Sequence, residues 1–280
     1  MTLHLAAALD GAGWHPAAWR AEGASPDALF TAAYWTYLVQ EAERGHLDFV
    51  TFEDVIRLRT CPEDEVVGPL DAMLVATAVA PLTSRIGLVP ASGRADLAAG
   101  IAALDRASGG RAGWHATGEL RPRLPGRPLV TRLAGPDLPV DVAARGCDVV
   151  FVTPHGRGEA AVLAERARRA APGVTVFADV AVFLGGPEQK GRLDDLDGEV
   201  YEGDAHVYSG SAAGLAHLLL DWQAAGIDGF RLRPAVLPHD LRAITRHLVP
   251  ALRARGAFRP GQPTGDLRAR LTRKRFARVS

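Results

Sequence analysis

The chain has 280 residues, a formal net charge of zero and 48% hydrophobic residues. This is the size of one large α/β domain with a substantial core, and the charge balance calls for neither nucleic acid nor an acidic membrane surface. No apolar run of about 18 residues marks a transmembrane helix, and the N-terminal Met1-Thr2-Leu3-His4 lacks the basic start of a signal peptide. Two cysteines, Cys61 and Cys147, fit a reduced cytosolic protein better than a disulfide framework, so a cytoplasmic location is expected.

Short apolar runs alternate with amphipathic ones, which predicts βα units around a parallel sheet. The first strand is predicted at 3–9, then a loop to Asp27 and a helix over 29–44 that Gly45 stops. A strand at 47–52 leads into a loop holding Cys61-Pro62 and a helix over 69–80 with Pro69 in its first turn. The third strand is predicted at 86–89, a helix at 96–107 and the fourth strand at 111–115. The connector 116–127 has no amphipathic period and holds Pro122, Pro125 and Gly126. It is read as non-helical and is close to the shortest link that returns a parallel strand.

The fifth strand is predicted at 128–132, a short helix at 138–145, the sixth strand at 148–152, a helix at 158–170 and the seventh strand at 174–183. Residues 184–203 read as a polar loop whose Asp194, Asp195 and Asp197 are solvated. A helix at 212–224, the eighth strand at 229–232 and a last helix at 238–253, bent near Pro250, complete the pattern. Eight strands predict an α/β fold, a single (β/α)8 TIM barrel over 1–253 with the crossover helix between strands 4 and 5 missing. Residues 254–280 read as a basic tail, solvated because no aromatic residues interleave its arginines as single-strand binding requires.

The stretch Ser108-Gly109-Gly110-Arg111-Ala112-Gly113-Trp114-His115, with Asp54 closing Asp48-Phe49-Val50-Thr51-Phe52-Glu53-Asp54, resembles the bacterial-luciferase-like flavin monooxygenases. The resemblance lies in the branch of the nitrilotriacetate, dibenzothiophene-sulfone and pristinamycin monooxygenases. It extends through Gly13-Trp14-His15-Pro16-Ala17-Ala18-Trp19-Arg20 and Ala224-Ala225-Gly226-Ile227-Asp228-Gly229-Phe230 to the end of the last helix, in the family's order.

This resemblance implies a barrel whose site lies at the C-terminal ends of the strands. It also implies reduced FMN supplied by a separate flavin reductase, or a deazaflavin as in the wider superfamily, acting with oxygen on a small-molecule substrate. Asp54 would accept hydrogen bonds at a polar edge of the flavin, or else is a loop carboxylate or helix cap. Ser92 stands in a shortened turn, Pro90-Ala91-Ser92-Gly93-Arg94, after the third strand. His115 replaces the family's asparagine and still offers one donor and one acceptor; Thr117 follows it in Ala116-Thr117-Gly118. His15, among Trp14, Trp19 and Arg20, is the catalytic candidate, the alternative being a loop that packs over the barrel mouth. His155, after the sixth strand, is a further candidate. The nine histidines show no metal spacing, and neither a Walker motif nor a nucleophile elbow occurs.

Two departures from the family weigh against full function. The long, partly helical segment that the family carries between strands 4 and 5 is reduced to the short connector, which predicts exposed apolar strand surface and hence a homodimer, or a heterodimer with a full-length homologue. Where the family places Gly-Ser-Ser to hold the phosphate, this chain has Ala134-Gly135-Pro136-Asp137. Pro136 has no NH to give, and Asp137 repels a phosphate by about 4 kcal/mol at 4 Å and an effective dielectric of about 20. Arg132 is the nearest candidate to compensate, with Gly135 left as the turn's cofactor-binding residue. The reading is a reduced luciferase-like flavin-dependent monooxygenase. The alternative is a non-catalytic, degenerate paralogue that binds flavin passively or pairs as a subunit.

Overall fold

The computed structural model describes residues 2–61, 64–93, 97–120, 124–261 and 265–272, with the backbone alone for the hairpin at 55–69. Arg94, Asp96, Pro122, Arg273, Lys274, Arg275 and Arg278 lie outside the described residues. The strands, in chain order, are β1 (His4–Leu9), β2 (Phe49–Phe52), β3 (Val55–Cys61), β4 (Asp64–Pro69), β5 (Gly87–Ser92), β6 (Gly113–Ala116), β7 (Leu129–Leu133), β8 (Val149–Val152), β9 (Thr175–Phe183), β10 (His206–Ser209) and β11 (Gly229–Pro234). The helices are α1 (Ala32–Arg44), α2 (Ala72–Val79), α3 (Leu97–Ser108), α4 (Val140–Ala143), α5 (Arg157–Ala170), α6 (Gly186–Asp197), α7 (Ala212–Ala224), α8 (His239–Ala243), α9 (Val249–Ala254) and α10 (Leu267–Thr272).

Eight parallel strands close into a barrel in the order β1-β2-β5-β6-β7-β8-β9-β11, with β11 returning to β1. Each wall strand alternates. Leu5, Ala7 and Leu9 of β1 and Val176, Ala178 and Val180 of β9 join the core shared with the helices. Ala6, Phe49, Val89, Leu129, Val149, Phe151 and Phe177 fill the barrel interior. A period of two with both faces buried is what a parallel barrel strand requires.

The turns entering the strands reuse one device. Asp48, Asp148 and Asp228, each just before a strand, accept the backbone NH of a neighbouring strand at Leu5 (3.0 Å), Val130 (3.1 Å) and Val176 (3.0 Å). In each turn the residue before the aspartate (Leu47, Cys147, Ile227) is buried under the helices. A carboxylate there satisfies backbone donors that the sheet leaves open at its lower edge.

Several expectations are corrected. The loop predicted around Cys61 holds a β-hairpin, with β3 antiparallel to β4, while Pro62 lies outside the described residues. Pro69 ends that hairpin, and α2 starts later, capped by the Asp71 side chain, which accepts from Leu74 N at 2.9 Å. The polar loop 184–203 contains α6, which buries Gln189, Leu193 and Asp197 along a single stripe at a spacing of four. A ninth parallel strand, β10, pairs with the upper half of β9, above the segment of β9 that pairs with β8.

The connector between β6 and β7 has no helix among its described residues. Its Leu120 and Leu124 nevertheless pack on Trp114 and Ala116, which are almost fully buried. The bare apolar strand surface on which a dimer was expected is therefore absent from the described residues: two leucines do the work of the missing helix.

The solvated reading of the C-terminal segment is also corrected for the residues up to Thr272. Leu267 and Leu271 of α10 plug the floor of the barrel. A Cβ at Gly87 would stand 2.5 Å from Leu267, so the floor has room for the plug only because that residue is glycine. Arg259 and Arg268 pair with Asp48 and Asp148 at 3.1 and 2.9 Å. Among the described residues no helix is long and apolar enough to cross a membrane.

Candidate active site at the barrel mouth

The wall of the barrel carries charges that no hydrophobic interior should hold unpaired. On β11 the period of two turns Arg231 and Arg233 inward, between the outward Phe230 and Leu232. On the adjoining β9 the same parity turns Asp179 inward, directly opposite Arg231 in the ladder. Arg231 Nε donates to Asp179 Oδ1 at 2.9 Å, and Arg233 Nε donates to Asp179 Oδ2 at 2.8 Å. All three side chains are at most 1% exposed. The Arg231 guanidinium lies 4.1 Å from the centre of the Phe151 ring and that of Arg233 lies 4.3 Å from a Trp14 ring. On its outer side Arg233 pairs with Asp204.

Burial opposes the ionisation of Asp179, but the two guanidinium groups hold its carboxyl below the usual range. Glu53, at the end of β2, goes the other way. Burial raises it against the pull of Arg231 and Arg233, and Asp179 and Asp54 add to the rise. Glu53 Oε1 stands 3.8 Å from Arg231 Nη1, too far for a hydrogen bond. Both atoms, and Thr51 Oγ1 below them on β2, are buried without a hydrogen-bond partner.

Of the sequence candidates, His115 joins this cluster. It points into the barrel at 4% exposure, 3.0 Å from Thr131 Oγ1 through Nδ1 and tilted against Phe151. Burial, with Arg231 next, lowers its pKa to about 3, so the imidazole is neutral. Asp54 is at the mouth beside Glu53; its carbonyl accepts from Leu70 N at 3.1 Å and ties down the hairpin's base.

His15 is 1% exposed at the rim. Its Nδ1 accepts from Ala17 N at 3.1 Å, which leaves the proton on Nε2, 3.2 Å from Asp194 Oδ1. Asp194 also accepts from Lys190 and from Tyr201 N, so it is a junction rather than a solvated loop residue. With both ring nitrogens engaged, His15 locks the loop after β1 onto α6.

The remaining candidates lie apart from the cluster. Ser92 lines an outer cleft between α2 and α3 with Asp71, Met73, Thr77 and Leu97, and its carbonyl accepts from Trp114 Nε1 at 2.7 Å. Thr117 is exposed on the rim, and His155 is exposed at the start of α5. In the turn after β7, Gly135 N donates to Leu138 O at 3.0 Å and Leu138 N donates back to Gly135 O at 3.1 Å. The turn closes on itself, so neither NH is available to a phosphate, Pro136 has none, and Arg132 is turned to Gly118 O at 3.1 Å.

The residues that sequence reasoning passed over are Glu53, Asp179, Asp204, Arg231 and Arg233. Their signal was present: two arginines and an aspartate inside runs otherwise fit only for buried strands.

No family model matches the chain. Over 112 residues it is 33% identical to N-acetyl-S-(2-succino)cysteine monooxygenase of Bacillus subtilis (strain 168), covering 38% of this chain and 25% of that protein. Over 120 residues it is 31% identical to nitrilotriacetate monooxygenase component A of Aminobacter aminovorans, covering 37% of this chain and 26% of that protein. These matches thus span about a quarter of each relative. In fold, the chain is similar to EDTA monooxygenase (EmoA) from Chelativorans sp. BNC1, with a TM-score of 0.80 at 18% identity over 97% of this chain and 98% of that one. It is equally similar to the long-chain alkane monooxygenase LadA, with a TM-score of 0.82 at 15% identity over 99% and 96%. The coenzyme F420-dependent tetrahydromethanopterin reductase from Methanopyrus kandleri has the fold too, with a TM-score of 0.60 at 14% identity over 89% and 99%. The chain thus shares the barrel fold of these proteins along nearly its whole length and is similar in sequence to two monooxygenases over more than a third of it.

Proposed function

We propose that the chain is an oxidoreductase of the luciferase-like type, a monooxygenase that uses a flavin or deazaflavin and oxygen on a small organic substrate at the barrel mouth. The observation that carries this reading is the unsatisfied polar group at the C-terminal end of the barrel, Glu53 Oε1 with Arg231 Nη1, in a chain whose relatives by sequence are monooxygenases. A buried polar atom without a partner calls for a bound molecule or water to complete it. A reduced flavin or deazaflavin would supply the electrons that activate oxygen.

The fit to FMN is incomplete. The turn at Gly135 offers no cradle for a phosphate dianion, so a flavin anchored there does not match these residues. The chain's own groups have definable tasks. Phe151 and Phe177 pack in the barrel interior, and the half-buried Trp14 lies against Arg233. Arg231, fixed by Asp179, orients a ligand oxygen, and Glu53, whose pKa burial raises, faces it as the acid–base group of the mouth. Supply of the reduced cofactor by a partner reductase belongs to the same proposal, and one relative is itself named as a component.

The test is titration of the purified protein with FMN, reduced FMN and the deazaflavin cofactor, followed by oxygen uptake with candidate substrates. Binding of one cofactor in the low micromolar range supports the proposal. Failure of all of them to bind sinks it and leaves a non-catalytic paralogue.

A further inference from the structure

We propose that Arg233, backed by Trp14, is the anion-binding end of the barrel mouth, a site for the carboxylate or phosphate of a ligand, and that the protein's own Asp204 occupies it in the free chain. The proposal rests on reading the mouth as a ligand site, and it can be tested without any flavin.

The two partners of Arg233 are unlike. Asp179 is fully buried and shared with Arg231, whereas the Asp204 side chain is 61% exposed, in the segment between α6 and β10. Asp204 meets the guanidinium edge in a fork, Oδ1 at Nη1 and Oδ2 3.3 Å from Nη2. That planar, two-point geometry is how arginine recognises a carboxylate or phosphate. A carboxylate so largely hydrated gives up little on leaving. The guanidinium it uncovers is desolvated, held against Trp14, and cannot follow it into water.

The buried charges make the same demand. Arg231 and Arg233 share the fully buried carboxylate of Asp179, and Glu53 Oε1 stands 3.8 Å from Arg231 Nη1. Without Asp204 the outer edge of the Arg233 guanidinium loses its ion-pair partner, and an anion arriving at the mouth would restore that pairing. Deeper in, Arg231 Nη1, Glu53 Oε1 and Thr51 Oγ1 have no hydrogen-bond partners. The intervening strand β1 presents Ala6 and Ala8 beside Arg231 and Thr51, both fully buried, so β1 itself puts no large side chain between them.

The experiment is anion binding by Asp204→Ala and wild type, read by calorimetry and thermal shift with succinate and with inorganic phosphate against sodium chloride of equal ionic strength. Asp204→Ala changes an exposed loop residue and is expected to fold. If Asp204 covers Arg233 about nine-tenths of the time, its removal tightens binding about tenfold, and the melting temperature rises with anion more steeply than in wild type. A response to succinate alone assigns the site to a carboxylate, and a response to phosphate alone assigns it to a phosphate-bearing ligand; either supports the proposal. Adding Arg233→Gln to Asp204→Ala is expected to abolish the response. Should that variant not fold, Arg233→Lys, which keeps the charge and loses the fork, is expected to weaken it. Equal responses in wild type and Asp204→Ala, or a response that survives loss of the fork undiminished, would overturn the proposal and leave Arg233–Asp204 a structural ion pair.

Discussion

Arg231 and Asp179 face each other directly across the β11–β9 ladder, joined by Nε to Oδ1 at 2.9 Å, and both are sealed from solvent. Neighbouring strands of a parallel barrel seldom place a salt bridge inside the wall, because desolvating two charges offsets most of their attraction. Here one carboxylate serves two arginines, and the second arginine reaches the mouth.

The first prediction follows from that sharing. Asp179→Asn leaves Arg231 and Arg233 without a buried counter-charge. Breaking a buried pair in this way costs roughly 3–5 kcal/mol, to be read as a lower midpoint in urea unfolding. A loss below about 1 kcal/mol would mean that water already reaches the guanidinium groups.

Protonation of His115 gives a second. Its pKa falls from 6.5 to about 3 on folding, so the unfolded chain takes up the proton first. Its contribution is constant above the unfolded value and stability is lost as pH falls below it, at up to about 1.4 kcal/mol per unit. His115→Gln removes this dependence. Between pH 7.5 and 4.5 wild type should lose roughly 2.5 kcal/mol more than the variant; parallel pH profiles of unfolding free energy would show that the imidazole is not desolvated.

His15 is predicted to position rather than to react. Cutting its links to Ala17 N and Asp194 should cost about 1–3 kcal/mol in His15→Ala and open residues 184–203 to proteolysis. Loss of oxygen uptake with unchanged stability and unchanged cleavage would instead assign it a chemical role.

The turn after β7 should be repairable. Pro136→Ser with Asp137→Ser restores an NH and removes the repelling charge. FMN binding should then tighten relative to riboflavin, by up to about a thousandfold if the whole repulsion of about 4 kcal/mol is relieved. An unchanged ratio would show that the phosphate is held elsewhere or not at all.

Much of the fold was legible because a barrel strand is a local object. The eight wall strands were located to within a few residues from short apolar runs, and Pro122, Pro125 and Gly126 ruled out the crossover helix between the fourth and fifth strands. The self-closed turn at Gly135 was not legible: Pro136 and Asp137 pointed to a poor phosphate cradle, but the paired hydrogen bonds between Gly135 and Leu138 appear only in the fold. Helix α6 escaped because its buried face is a single narrow stripe, Gln189, Leu193 and Asp197, in a segment of otherwise polar residues. A helix of that kind is held by what it packs on, and its own sequence does not announce it.

The sequence alone therefore determined the barrel and its shortened connector, since those rest on periodicity and on residues near each other in the chain. It also placed Arg231 and Asp179 in buried strands, where charges must find partners, but ended the eighth strand one residue short of Arg233. Only the tertiary structure decided which partners: Asp179 lies 52 and 54 residues from the two arginines, and Arg268 of the basic segment lies 120 residues from Asp148. A charge in a sequence looks solvated until the fold brings up the counter-charge that lets it be buried.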